Sequence, residues 1–97
     1  MMTSYKRLGD NKAFWFCDPN GIRIGDVARS FTEFKRKLRI VPLSSIEYHM
    51  YREEISDFEK WLRKVLRRTK YANKIAKIRE SRIYGEDLRK ALLRALR

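Results

Sequence analysis

The chain has 97 residues, 43% of them hydrophobic, with five Phe, five Tyr and two Trp. That suffices for a modest core and excludes wholesale disorder. Its formal charge of +12, from 24 Lys+Arg against 12 Asp+Glu, makes a polyanionic partner the first class to consider.

In chain order, "KAFWFCDPNGIRIGDV" reads as a β-hairpin. Ala13 to Cys17 is a short apolar and aromatic strand, and Ile22 to Ile24 resumes it. Between them Asp18-Pro19-Asn20-Gly21 suits a type I turn, with φ preset at Pro19 and a positive φ accepted at Gly21. Gly25-Asp26 reads as a strand-ending turn. Apolar residues at odd and even positions of the first strand predict a sheet covered on one face and partly on the other. A helix is expected from Ser30 or Thr32, with Glu33 at its positive end, Phe31, Phe34, Leu38 and Val41 as its buried stripe, and Pro42 as its stop. "LSSIEYHMY" fits a short helical turn capped by Ser44 or Ser45, or a strand.

From Ser56 the helical signal is strongest. Ser56 caps, Asp57 and Glu59 fill the first turn, and Phe58, Trp61, Leu62, Val65 and Leu66 share one face. At about 100° per residue, Lys60, Arg63, Lys64 and Arg67 fall opposite them. Past Thr69 the apolar residues Ala72, Ile75 and Ala76 would be out of phase. A break at Arg68 to Lys70 is therefore expected, with Thr69 capping the next helix. "GEDLRKALLRALR" is the last helix, acidic at its start and basic at its end, with Leu88, Ala91, Leu92, Ala95 and Leu96 inward.

The charge is unevenly placed. Met1 to Glu59 holds ten Lys/Arg and nine Asp/Glu, whereas Lys60 to Arg97 holds fourteen and three. Within "KWLRKVLRRTKYANKIAKIR", Lys60 to Arg79, nine residues are basic and none is acidic. A chain without Gln and with 37% charged residues points to a thermophile. Heat accounts for the density of charge but not its sign.

Four pieces in order carry a likeness: the strand "AFWFC" with its turn, "FTEFKRKLRIV", "SIEYH", and "DFEKWLRKVL", followed by "GEDLRKALL". They resemble a small archaeal domain family of unknown function, over roughly Lys12 to Leu93. The resemblance implies an archaeal origin and this order of elements, and no activity. One departure stands out: the resemblance implies an acidic Gly-Asp-type turn after the tryptophan helix, and this chain has Arg67-Arg68-Thr69-Lys70. The basic run reads as this member's own specialisation.

Catalytic signals are sparse. Cys17 and His49 lie on different elements, and Cys17 is expected as a small buried hydrophobe. His49 is expected to hydrogen-bond Asp57 or Glu53 at a helix junction. No Cys/His cluster has metal-ligand spacing, and no nucleotide-loop or nucleophile-elbow motif occurs. A single Cys cannot form an internal disulfide, the N-terminus has no apolar signal region, and no stretch reaches the roughly 18 apolar residues of a membrane span.

The expectation is an α+β, mainly helical protein: a short N-terminal β-hairpin and four to five short helices in one compact domain over residues 1–97. Residues 1–11 are expected as a disordered tail, 12–59 as the hairpin and near-neutral helical part, and 60–97 as the strongly basic part. No enzyme activity, cofactor or metal is expected. The expected function is nucleic-acid binding, duplex DNA before RNA, through backbone contacts by Arg63, Lys64, Arg67, Arg68, Lys70, Lys74 and Lys77 with little sequence preference. Arg89, Lys90 and Arg94 extend the patch. A chromatin-like or packaging role fits, in the cytoplasm and nucleoid.

Three other readings compete. Tyr71 to Arg79, with Asn73, would be the recognition helix of a helix-turn-helix. Phe14-Trp15-Phe16 would stack unpaired bases. Finally, the basic face would be incidental to a module that docks an acidic partner or dimerises, with Leu93 as a dimer contact. Membrane attachment through the last helix is not expected, because it lacks an aromatic anchor.

Overall fold

The aspartate at the hairpin turn organises the first element. Asp18 Oδ1 accepts from the backbone N–H groups of Asn20 and Ile22 at 2.9 and 3.0 Å, and Gly21 N–H donates to the Asp18 carbonyl. Gly21 sits at φ +80, in the left-handed region, and a Cβ there would stand 3.1 Å from the Tyr48 hydroxyl. The computed structural model describes residues 7–97, in which this turn joins β1 (Phe14–Cys17) to β2 (Arg23–Ala28) as an antiparallel pair. β2 does not end at Gly25-Asp26. Trp15 pairs with Val27 but Cys17 with Arg23, so β2 bulges between these pairs, and Gly25 at φ +97 lies in the bulge. A glycine there lets the strand bend and continue to Ala28.

The first six residues of the expected tail lie outside the described residues. Leu8 N–H donates to the Arg29 carbonyl at 2.8 Å, and Arg29 pairs with Asp10.

Five helices follow. In α1 (Phe31–Ile40), Ser30 is the cap, its Oγ accepting from Glu33 N–H. Val41 and Pro42 end the helix. Pro42 then begins α2 (Leu43–Tyr51) directly, its carbonyl accepting from Ser45 and Ile46. "LSSIEYHMY" is therefore a helix rather than a strand, and neither Ser44 nor Ser45 caps it, because the proline at the start lies ahead of both. α3 (Asp57–Lys64) opens on a full capping box: Ser56 Oγ accepts from Glu59 N–H, and Glu59 Oε2 accepts from Ser56 N–H, each at 3.1 Å.

The stretch from Lys60 to Arg79 forms two helices. α3 ends at Lys64, α4 (Thr69–Glu80) resumes after a turn, and the break falls earlier than the sequence pattern placed it. Arg67 takes φ +59 and Arg68 N–H donates to the Leu62 carbonyl at 2.8 Å, closing the end of α3. Arg68 thereby becomes the N-terminal flanking residue of α4, in place of Thr69, and no side chain caps that end. α5 (Gly85–Ala95) carries Glu86 and Asp87 in its first turn and Arg94 in its last.

The core lies where the hairpin meets the helices. Phe14 and Phe16 point inward among Phe34, Phe58 and Trp61, with ring centroids 4.9 to 6.3 Å apart. Trp15 and Cys17, on the other face of β1, are half-buried, which gives the sheet one covered and one partly covered face. Leu88, Leu92 and Leu96 dock α5 into the same core, while Ala91 and Ala95 are half-buried.

Candidate nucleic-acid interface

The nine basic residues of the acid-free stretch divide into two groups. Lys60 pairs with Glu53, and Arg79 reaches Glu59 with Nε to Oε2 at 2.7 Å and Nη2 to Oε1 at 3.2 Å. Glu59 is 2% exposed, so Arg79 closes the capping box of α3 from the neighbouring helix. Burial pushes the Glu59 carboxyl up, but hydrogen bonds from Arg79 and Ser56 outweigh this and hold it below the usual carboxylate range. The other seven are Arg63, Lys64, Arg67, Arg68, Lys70, Lys74 and Lys77. Among the described residues none of them has a carboxylate within salt-bridge distance. Arg63 is half-buried and the other six are exposed.

Their arrangement comes from an antiparallel helix pair. Glu59 at the start of α3 meets Arg79 at the end of α4, and Arg63 meets Asn73 nearer the turn. Contact along the whole length describes an αα-hairpin and departs from a helix-turn-helix, whose helices cross steeply and touch mainly beside their turn. Arg63 donates to Asn73 Oδ1 at 3.2 Å, so this side chain already has a partner on α3. With about 100° between residues, Lys70, Lys74 and Lys77 lie opposite the buried Ala72 and Ile75.

At the turn the cations meet aromatic rings. Arg68 lies 4.6 Å and Lys35 4.8 Å from the centroid of Phe31, which itself packs against Tyr71 at 4.9 Å. Lys35 belongs to α1, in the half of the chain whose charges balance. Arg36 and Arg39 on the same helix are exposed, and among the described residues none of the three has a carboxylate within salt-bridge distance. The sequence reading omitted all three because "KRKLR" was averaged into a near-neutral half, although the run itself was the available signal. Arg89 departs from its expected role. Its Nη1 donates to the carbonyls of Leu38 and Val41, both at 2.8 Å, and Nε pairs with Glu86. This fastens α5 to the end of α1 and leaves Lys90 and Arg94 as the exposed basic residues of α5.

Phe14 and Phe16 are buried, so base stacking on them is closed. Trp15 is half-buried, with the Arg23 guanidinium 4.0 Å from a ring centroid and Nε1–H donating to the Asp10 carbonyl at 2.9 Å.

The fold also brings together two residues that the sequence separated. Cys17 N–H donates to His49 Nε2 at 2.9 Å, and His49 Nδ1 lies 2.8 Å from Asp57 Oδ2. Because Nε2 accepts, Nδ1 carries the proton and donates to Asp57. Arg52 also grips Asp57, at 2.7 and 2.8 Å. Burial pushes the Asp57 carboxyl up, and the bonds from His49 and Arg52 bring it below its usual range. Both ring nitrogens of His49 are thus engaged in fastening β1, α2 and α3. The thiol of the half-buried Cys17 is pushed up by burial, more than Arg23 draws it down, which disfavours the thiolate. Among the described residues no three His, Cys, Asp or Glu side chains are grouped to hold a metal, and no helix is long and apolar enough to cross a membrane.

No curated protein and no solved structure matches the chain. A family model covers residues 4–97, nearly the whole length, and on that match the protein belongs to a family of unknown function, DUF5752.

Proposed function

We propose that this protein binds nucleic acid, duplex DNA in the first place, through the phosphate backbone and with little sequence preference. A chromatin-like or packaging role in the cytoplasm and nucleoid suits such a mode, and the protein acts as a binder rather than an enzyme. One observation carries the reading: internal carboxylates take Lys60 and Arg79, and seven cations on α3, the turn and α4 are left without one among the described residues. Lys70 and Lys74, four apart on α4, repel at a few tenths of a kcal/mol. A polyanion relieves that repulsion, and each neutralised phosphate releases condensed counterions. The uncapped start of α4 adds backbone N–H groups beside Arg68 and Lys70, at the positive end of the helix dipole. Lysines predominate on α4, and lysine serves as a point-charge contact to phosphate more than as a base reader. The charge density, the lack of Gln and the sequence likeness support a thermophilic archaeal source.

A competition assay tests the reading. Labelled duplex DNA held by the protein is challenged with unlabelled duplex, single-stranded DNA, duplex RNA or polyglutamate. Unlabelled duplexes of unrelated sequence should displace it about equally, and better than polyglutamate. Equal displacement by polyglutamate would favour a module that docks acidic protein surfaces.

A further inference from the structure

Resting on the nucleic-acid reading above, we propose that the ends of α1 and α5 form a second phosphate-backbone contact, continuous with the α3–α4 face, for the same duplex. Arg39, Lys90, Leu93, Arg94 and Arg97 line one surface cleft of about 230 Å³. Arg39, Lys90 and Arg94 have no carboxylate within salt-bridge distance among the described residues. Lys90 and Arg94 are four apart on one helix, so they are neighbours of like sign.

Helix C-termini favour cations, and both α1 and α5 end here. That need does not account for the cluster. Arg89 already serves the end of α1 by donating to the Leu38 and Val41 carbonyls, and one last-turn cation, Arg94, serves α5, which leaves Arg39 and Lys90 with no such task.

The cleft is joined to the α3–α4 face by direct contacts. Arg68 and Lys35 both lie over Phe31, and Phe31 packs against Tyr71. Tyr71 Oη donates to the Arg97 carbonyl at 3.4 Å. On α1, Phe31, Lys35 and Arg39 follow at intervals of four, along one side of the helix. Cations from Lys74 past Arg68 and Lys35 lead along this side to Arg39 and Arg94, and a phosphate backbone can follow them. Leu93, which the sequence reading offered as a dimer contact, lies on the wall of this cleft.

The test compares the wild-type protein with an Arg39→Gln/Arg94→Gln variant, chosen because both side chains are exposed. Thermal melting of the two should coincide. In duplex binding over a salt series, the variant's log–log slope should be shallower by about 1.8, roughly 0.9 per lost phosphate contact. With duplex in excess, sedimentation should show one duplex per protein. An unchanged slope beside a steep wild-type slope would overturn this second contact alone. Two duplexes joined by one protein would overturn the continuous path, and a wild type that binds no duplex would remove the nucleic-acid reading itself.

Discussion

Arg67 and Arg79 belong to the same acid-free stretch, yet the fold treats them in opposite ways. Arg79 is 20% exposed and bidentate on a carboxylate that is itself only 2% exposed. Arg67 is exposed, has no acidic partner among the described residues, and occupies a left-handed backbone conformation, φ +59, that glycine adopts more easily. One arginine completes the structure. The other sits in solvent at a position where its own side chain offers the fold no visible benefit. A charge count treats the two alike, and only partner and burial separate them.

The largest way to sharpen this contrast is Arg79→Ala. It leaves Glu59 buried without its partner, and the expected loss is about 3 to 5 kcal/mol in urea denaturation. A loss below about 1 kcal/mol would place Arg79 with the surface cations instead.

Acid should act on the same side of the comparison. Glu59 and Asp57 are held below their ordinary values of 4.5 and 3.8. A carboxyl depressed in the folded state contributes stability above its unfolded pKa and loses it as pH falls through the folded one. Melting temperature should therefore decline from about pH 4.5 downwards, and Glu59→Gln should show a shallower decline. An equal decline in the variant would assign the acid sensitivity elsewhere.

Arg67→Ala with Arg68→Ala addresses the other side. Stability should stay within about 0.5 kcal/mol, while the salt dependence of duplex binding should become shallower by about 1.8. Affinity should fall equally for unrelated sequences. A loss confined to some sequences would mean that these arginines read bases. The smallest expected effect comes from glycine: Arg67→Gly and Arg82→Gly should each gain up to about 1 kcal/mol, since Arg82 also sits at positive φ. Only Arg67→Gly should weaken DNA binding.

Much of the fold was legible because strong local signals agreed with packing. Ser56 with Glu59 announced α3, Ser30 and Pro42 bracketed α1, and the hairpin turn followed from Asp18-Pro19-Asn20-Gly21. The phase of Ala72 and Ile75 required a break in the basic stretch. Its position was misjudged because Arg67 adopts a backbone state usually associated with glycine, which no side-chain pattern reveals. His49 to Asp57 was foreseen from sequence neighbourhood, but the bond from Cys17 N–H to His49 was not, because pairing across 32 residues is a property of topology. The seven cations that have no carboxylate partner among the described residues were visible as residues. That Lys60 and Arg79 differ from them follows from tertiary packing alone, whereas Lys35 and Arg39 were legible in the run "KRKLR" and only the place of Lys35 beside Arg68 came from the fold.

The most direct measurement is fluorescence anisotropy of a labelled duplex titrated with the wild-type protein across a series of salt concentrations. Neutralisation of several phosphates predicts a log–log slope of about −4 to −6, at roughly 0.9 per contact. A slope near zero, or no saturable binding at low salt, would contradict a phosphate-binding face and leave these cations as solvated surface.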